Sequence, residues 1–171
     1  MKRPAITFLI LLLFGITGGC GGKNTASVYP RPGGMAVMTI DDEQQMEMEP
    51  DEGEILDGVV SWLDQDIIRR LRDEGLKISV LRDLRKYSSS MGPLVIISVE
   101  SFNPGVADKQ PRGAAGKGVA SLALGYKLFD ERGALMTEWQ DGAESSKGAT
   151  YCARDLNLRA MEKITAALNL R

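Results

Sequence analysis

The chain has 171 residues, 21 Lys or Arg against 23 Asp or Glu, two cysteines and no histidine. A slightly acidic balance argues against nucleic acid as a partner, because neutralising phosphates requires a basic surface. The lack of histidine removes the commonest general base and metal ligand together.

Met1–Lys2–Arg3 is a short positive segment, followed by an apolar run from Ala5 to Ile16 and the small residues Thr17, Gly18 and Gly19. That order is a secretory signal, and the run is too short to span a bilayer comfortably. Two readings of Cys20 follow. It is a free thiol left after ordinary signal cleavage, or the first mature residue of a lipoprotein. The stretch resembles a bacterial lipobox, which implies a diacylglyceryl group on the Cys20 sulfur and an acylated amino terminus. Thr17 departs from that pattern, where a leucine-like residue is usual. The following "GGKNTASVYPRPGG" is small and polar and carries Pro30 and Pro32. Such a composition makes a tether with an r.m.s. span of roughly 20 Å. The organisation expected is signal 1–19, tether 20–33 and one domain over 34–171. Without Lys2 and Arg3 the mature chain has 19 basic against 23 acidic residues, a balance of −4. With Cys20 lipidated, Cys152 has no disulfide partner.

"GMAVMTID" (34–41) alternates as a first strand. Asp41 to Asp57 then holds nine Asp or Glu and no Lys or Arg. It lacks the glycine and alternating oxygen ligands of a calcium loop, and reads as a solvated stretch whose later acids begin a helix. In that helix Ile55, Val59, Leu63, Ile67 and Leu71 recur at spacing four, with Trp62 at the edge of the stripe. Asp51, Glu52 and Glu54 at its start and Arg69, Arg70 and Arg72 at its end complement the macrodipole, and Gly75 suits the left-handed stop. "LKISVLRDL" (76–84) is a second strand, "KYSSSMGP" a loop, and the β-branched "LVIISVESF" (94–102) a central strand. A long Gly/Pro-rich loop precedes the hairpin 119–141, which turns at "DERG". A helix from about Thr150 aligns Cys152, Leu156, Ala160, Ile164 and Leu168. The order predicts an α+β domain, a single mixed, mostly antiparallel sheet with two amphipathic helices packed on one face.

Chemistry is sparse. "RGAAGKGVAS" departs from a Walker A at both ends, since Gly118 follows Lys117 and Pro111 stands at the first glycine position. A Ser–Lys pair would have to use Lys86 with Ser88–Ser90, which lack a supporting motif. Cys152 shares the apolar face of Leu156 and reads as a buried thiol. No catalytic residue, metal ligand or cofactor is expected. The loop from Asn103 to Gly118 is long enough to carry binding, and Lys109, Arg112 and Lys117 give it positive charge suited to an acidic partner or anionic headgroups.

The run "LVIISVESFNPG", the Gly-rich "RGAAGKG", the hairpin "VASLALGYKLFDERGALMTEW" and the closing helix together resemble a family of small bacterial lipoproteins defined as a domain of unknown function. Asp130 and Gly133 match its D-x-x-G turn. The opening strand, helix and strand are more remotely similar to the periplasmic domains of CsgG-like curli-secretion lipoproteins and the amino-terminal domain of TolB. Those resemblances imply envelope assembly or secretion through protein contacts, and supply no catalytic residues.

The reading expected is a non-catalytic lipoprotein held by Cys20, with an unidentified envelope protein as partner. Gly21 after the cysteine resembles the outer-membrane sorting pattern, which implies a periplasm-facing position. A periplasmic small-ligand carrier would instead need an apolar pocket between helices and sheet. An enzyme would need an exposed Cys152 beside a base, or a working carboxylate pair.

Overall fold

The computed structural model describes residues 32–40, 48, 50–105 and 118–170. Its elements in chain order are β1 (Gly34–Ile40), α1 (Pro50–Asp73), β2 (Lys77–Leu81), β3 (Leu94–Asn103), β4 (Ala120–Phe129), β5 (Leu135–Ser145) and α2 (Ala149–Ala167). Two single 3-10 turns, Leu84–Lys86 and Ser89–Met91, lie between β2 and β3. The fold is α+β, with one five-stranded sheet of order β2-β1-β3-β4-β5. β1 pairs parallel with both β2 and β3, whereas β3–β4 and β4–β5 are the longer, antiparallel ladders. β3 is central, as its continuous β-branched run demands. β2 is shorter than the alternation over 76–84 predicts, because Leu84 already belongs to a 3-10 turn. β5 continues past the expected end of the hairpin to Ser145.

Both helices end the same way. Gly75 has φ 83°; its N–H donates to Arg72 O at 2.8 Å and the Leu76 N–H to Leu71 O at 3.2 Å. In α2, Asn169 takes that place with φ 51°, and the Leu170 N–H reaches Thr165 O at 3.0 Å. These are Schellman stops, which satisfy the last carbonyls and fold Leu76 and Leu170 back into the core.

The sheet's two faces have different fates. Met35 and Val37 of β1, Val95 and Ile97 of β3, and Leu122, Leu124, Tyr126 and Leu128 of β4 join the buried faces of both helices in one core. Leu56, Val59, Leu63, Ile67 and Leu71 of α1 and Cys152, Leu156, Ala160, Ile164 and Leu168 of α2 line it. Trp62 packs at its edge. Ile55 does not join, being 37% exposed, while Leu56 is fully buried. A spacing of four drifts by about 40° per step on a 3.6-residue helix, so the stripe cannot hold one face for sixteen residues. In α2 the series from Cys152 to Leu168 stays buried throughout. On the opposite face Ala36, Leu81 and Leu94 form a second, smaller cluster, covered by Tyr87 and Met91. No described helix is long and apolar enough to cross a membrane.

Leu63 is 0% exposed in the space between α1 and the sheet. Leu63→Ala should cost on the order of 2–5 kcal/mol through lost burial and residual cavity. Denaturant midpoints measure this, and a near-neutral result would mean that α1 is not docked through this stripe.

Candidate functional site

Polar side chains gather in three places, and the first is the seam between the helices. Asn157 is fully buried, and its Nδ2 donates to Leu63 O at 3.1 Å and to Asp66 Oδ2 at 3.2 Å. Asp66 also accepts from Arg70 Nε at 2.7 Å and from Arg69. Two residues earlier, on another side of α1, Asp64 accepts from Thr39 Oγ1 at 2.5 Å and pairs with Arg82 at 3.0 Å. Burial pushes the Asp66 carboxyl up, but the bonds from Arg70, Arg69 and Asn157 outweigh it and leave the pKa below the ordinary 3.8. These bonds join α1 to α2 and to β1, while Asn157 Oδ1 is buried without a hydrogen-bond partner among the described residues.

The second place lies between β5 and α2. Asp141 points at the helix layer, where Arg159 pairs with it and Lys163 stands at 3.8 Å. Arg159 also reaches Gly142 O at 3.0 Å and Asp155 at 2.8 Å. Trp139 stacks on Tyr126 at 4.8 Å between centroids and 9° between planes, with Lys163 Nζ 5.4 Å from the Trp139 ring. Burial, with Asp141 nearby, pushes the Tyr126 phenol well above its ordinary range. Cys152, buried beside this region, donates its S–H to Ala120 O at 3.5 Å, and burial raises its pKa. That is the setting of a protonated thiol.

The third place is open. At the end of the sheet where β1 and β2 begin, a cleft of about 440 Å³ is lined by Lys77, Ser79, Ser89, Ser90, Met91 and Glu131, with Gly33, Gly34 and Gly92. A second cleft of about 400 Å³ shares Glu131 and is walled by Pro32, Pro93, Met136, Ala167 and Leu168, with Asp130 and Arg132. The walls are held by backbone bonds: Lys77 N–H to Gly33 O at 3.2 Å, and Ala36 N–H to Pro93 O at 2.8 Å. Tyr87 Oη donates to Gly92 O at 2.9 Å and lies 3.5 Å from Asp130 O, joining the 84–92 segment to the β4–β5 turn. In that turn the Asp130 carboxylate accepts from the N–H groups of Arg132 and Ala134 at 2.9 and 2.8 Å, and Gly133 takes φ 79°.

Cys20, Lys109, Arg112 and Lys117 lie outside the described residues. So do 41–47 and 49 of the acidic stretch, whose later acids Asp51 and Glu52 form the first turn of α1. The described flanks of the Asn103–Gly118 loop meet closely: a Cβ on Gly118 would stand 2.4 Å from Gly105 O. Among the described residues no group of three or more His, Cys, Asp or Glu could hold a metal ion. Sequence reasoning passed over Lys77, Ser79 and Glu131. It read Ser89 and Ser90 as part of a loop and weighed them only for a Ser–Lys pair with Lys86; the one available signal was their position just before Gly92 and Pro93.

No family model matches the chain, and no curated protein matches it. Among solved structures it is similar to a single-residue variant of the PelC dodecamer from Paraburkholderia phytofirmans. The identity there is 16%, over 81% of this chain and 90% of that one, with a TM-score of 0.48. It is also similar to a minor lipoprotein from Acinetobacter baumannii, at 12% identity over 77% and 92% of the two chains and a TM-score of 0.43. The lipoprotein GNA1162 from Neisseria meningitidis has 10% identity over 82% and 100%, and a TM-score of 0.40.

The seam generates a pH prediction. A depressed Asp66 pKa contributes stability that is complete above about pH 5 and is lost as pH falls through the folded value. Asp66→Asn should therefore destabilise the protein at pH 7 and flatten its acid dependence. Denaturant midpoints taken from pH 7 down to about pH 2 check this. Parallel curves for the two proteins would remove Asp66 from the account.

Proposed function

We propose that the chain is a lipid-anchored, non-catalytic module of the bacterial cell envelope, held at the outer membrane facing the periplasm and working by contact with an envelope protein. The anchor rests on Cys20, behind its positive segment and apolar run. The structural observation that carries the reading is the position of Pro32. This residue is buried in the wall of the 400 Å³ cleft, at the end of the sheet where β1 begins. It lies twelve positions after Cys20. A chain of that length reaches at most ~40 Å extended and about 20 Å as a coil, so an anchored protein holds this end toward the bilayer. β3 runs parallel to β1, so Asn103, where the candidate contact loop departs, is at the opposite end. An acyl anchor contributes ~0.8 kcal/mol per buried methylene, so several chains hold the domain durably.

Two observations weigh against the rival readings. The space between helices and sheet, which a carrier would need open, is filled by Leu63, Ile67, Ile97, Leu124, Leu156 and Ile164, all fully buried. Cys152 is 1% exposed and acts as a hydrogen-bond donor, so it is placed as a core residue.

Metabolic labelling with a palmitate analogue should mark the wild type and leave Cys20→Ala unmarked; equal labelling would overturn the anchor. The contact role has its own test. Replacing 106–117 with a short Gly/Ser linker should leave the domain folded and reduce capture of its envelope partner by crosslinking. Undiminished capture would move the contact elsewhere.

A further inference from the structure

The 440 Å³ cleft has a chemistry that neither helix seam has: its charged groups are not spent on each other. Lys77 is exposed, and neither it nor Glu131 takes part in an ion pair among the described residues. The same lining holds the side chains of Ser79, Ser89 and Ser90, the last hydrogen-bonded to Ser88 Oγ at 2.8 Å. A cation and a carboxylate in one hollow, with hydroxyls beside them, complement a dipole. A lone anion would meet repulsion from Glu131, and a lone cation repulsion from Lys77.

The floor of the cleft is bare backbone by necessity. A Cβ on Gly92, which has φ 84°, would stand 2.2 Å from Gly34 O, and one on Gly34 would stand 3.0 Å from Lys77 O. Side chains at either position would wedge apart the starts of β1 and β2 and the 88–92 turn. The glycines therefore keep a polar hollow shallow enough for a small headgroup and wide enough to be reached from the end of the domain. Beyond Glu131, the adjoining cleft is mixed in character, with Pro32, Pro93, Met136 and Leu168 beside Asp130 and Arg132.

We propose that this cleft takes the headgroup of a zwitterionic phospholipid of the phosphoethanolamine class, with the phosphate against Lys77 and the serine hydroxyls and the ammonium against Glu131. Hydroxyls and an ammonium donate to phosphate oxygens, and a carboxylate accepts from a primary ammonium, so each partner uses its ordinary hydrogen-bonding capacity. The direction in which the cleft points rests on the lipid-anchored reading; the binding itself does not need the anchor. An anchored chain keeps the cleft within the tether's reach of the surface, with an r.m.s. span of about 20 Å, where headgroups are concentrated. Contacts of surface strength then suffice to orient the domain, because the acyl chains already hold it there.

The experiment uses the full chain as Cys20→Ser in a non-ionic detergent, followed by amide NMR while glycerophosphoethanolamine is added. Saturable shifts are expected at Gly34, Lys77, Ser89 to Gly92 and Glu131. K77Q and E131Q should each weaken them about fivefold, an exposed-pair effect. Both positions are exposed, and an unchanged dispersion of the remaining signals shows that the variants fold. Inorganic phosphate is the second probe. If it reproduces the shifts at equal affinity with no effect of E131Q, the cleft is a free-anion site and the headgroup assignment is overturned. No shift at these residues, or shifts insensitive to both variants, overturns it as well. Palmitate labelling of Cys20 is scored separately, so a failed headgroup site and a failed anchor give different results.

Discussion

β1, β2 and β3 run parallel, so each connection among them must carry the chain from one end of the sheet back to the other. α1 makes the first return, moving from β1 to the edge strand β2 over one face. The second must move in the opposite direction across the sheet, from β2 past β1 to β3. Right-handed crossovers that travel in opposite directions lie on opposite faces. Residues 82–93 therefore cross the face that the helices leave uncovered. Eleven or twelve residues with two 3-10 turns cannot bury that face by themselves, so Tyr87 and Met91 close a small cluster over Ala36, Leu81 and Leu94. The polar cleft is the far end of this crossing, where the chain turns under β1 through Gly92 and Pro93.

The helix layer answers a related constraint. α1 covers the parallel half of the sheet and α2 the antiparallel half, and two adjacent helices on a twisted sheet could slide along each other if only methyl groups met between them. Asn157 prevents that: a fully buried amide has one depth and one register at which both Leu63 O and Asp66 are within reach. Leaving it unpaired would cost a desolvation penalty of about 1–3 kcal/mol, so the polar contact selects the register more than it adds stability. Asp141 does comparable work at the other border. A carboxylate that points inward from the edge strand β5 discourages a further strand from adding there, and Arg159 and Lys163 make its burial tolerable.

Much of this was legible in the residues, for reasons that differ by element. The α1 stripe, its charged ends and Gly75 are local signals, each set by backbone geometry within a turn or two, and they are found where periodicity and capping chemistry place them. β3 declares itself through Leu94 to Ile97, an apolar, largely β-branched start that only a strand covered on both faces requires. Ile55 was misplaced because a spacing of four drifts around a helix, and only the position of neighbours decides where the drift leaves the core. The parallel pairing of β1 with β2 and β3 carries no residue-level mark, and the cleft depends on that pairing. Lys77 and Glu131 are 54 residues apart in the chain, and nothing local to either connects them. Gly34 and Gly92 meet only because the second crossover lies on the open face.

In the proposed anchoring, lipid and fold meet at Pro32. A lipid at Cys20 would fix one point on the membrane, and the short stretch to Pro32 would bring this end of the domain near it while leaving its tilt free. Three features at one end of the sheet narrow that freedom: the chain leaves from a buried proline, the neighbouring surface is concave, and its exposed charges are of both signs. In that proposal contacts there, weak singly, would become intramolecular in effect, with an effective concentration set by the length of chain between Cys20 and Pro32. A short connection and a modest headgroup site would then reinforce each other. A much longer tether would dilute the site, and a domain without the site would rotate about its anchor. In that proposal, β3's far end, where Gly105 and Gly118 meet, would face away from the bilayer.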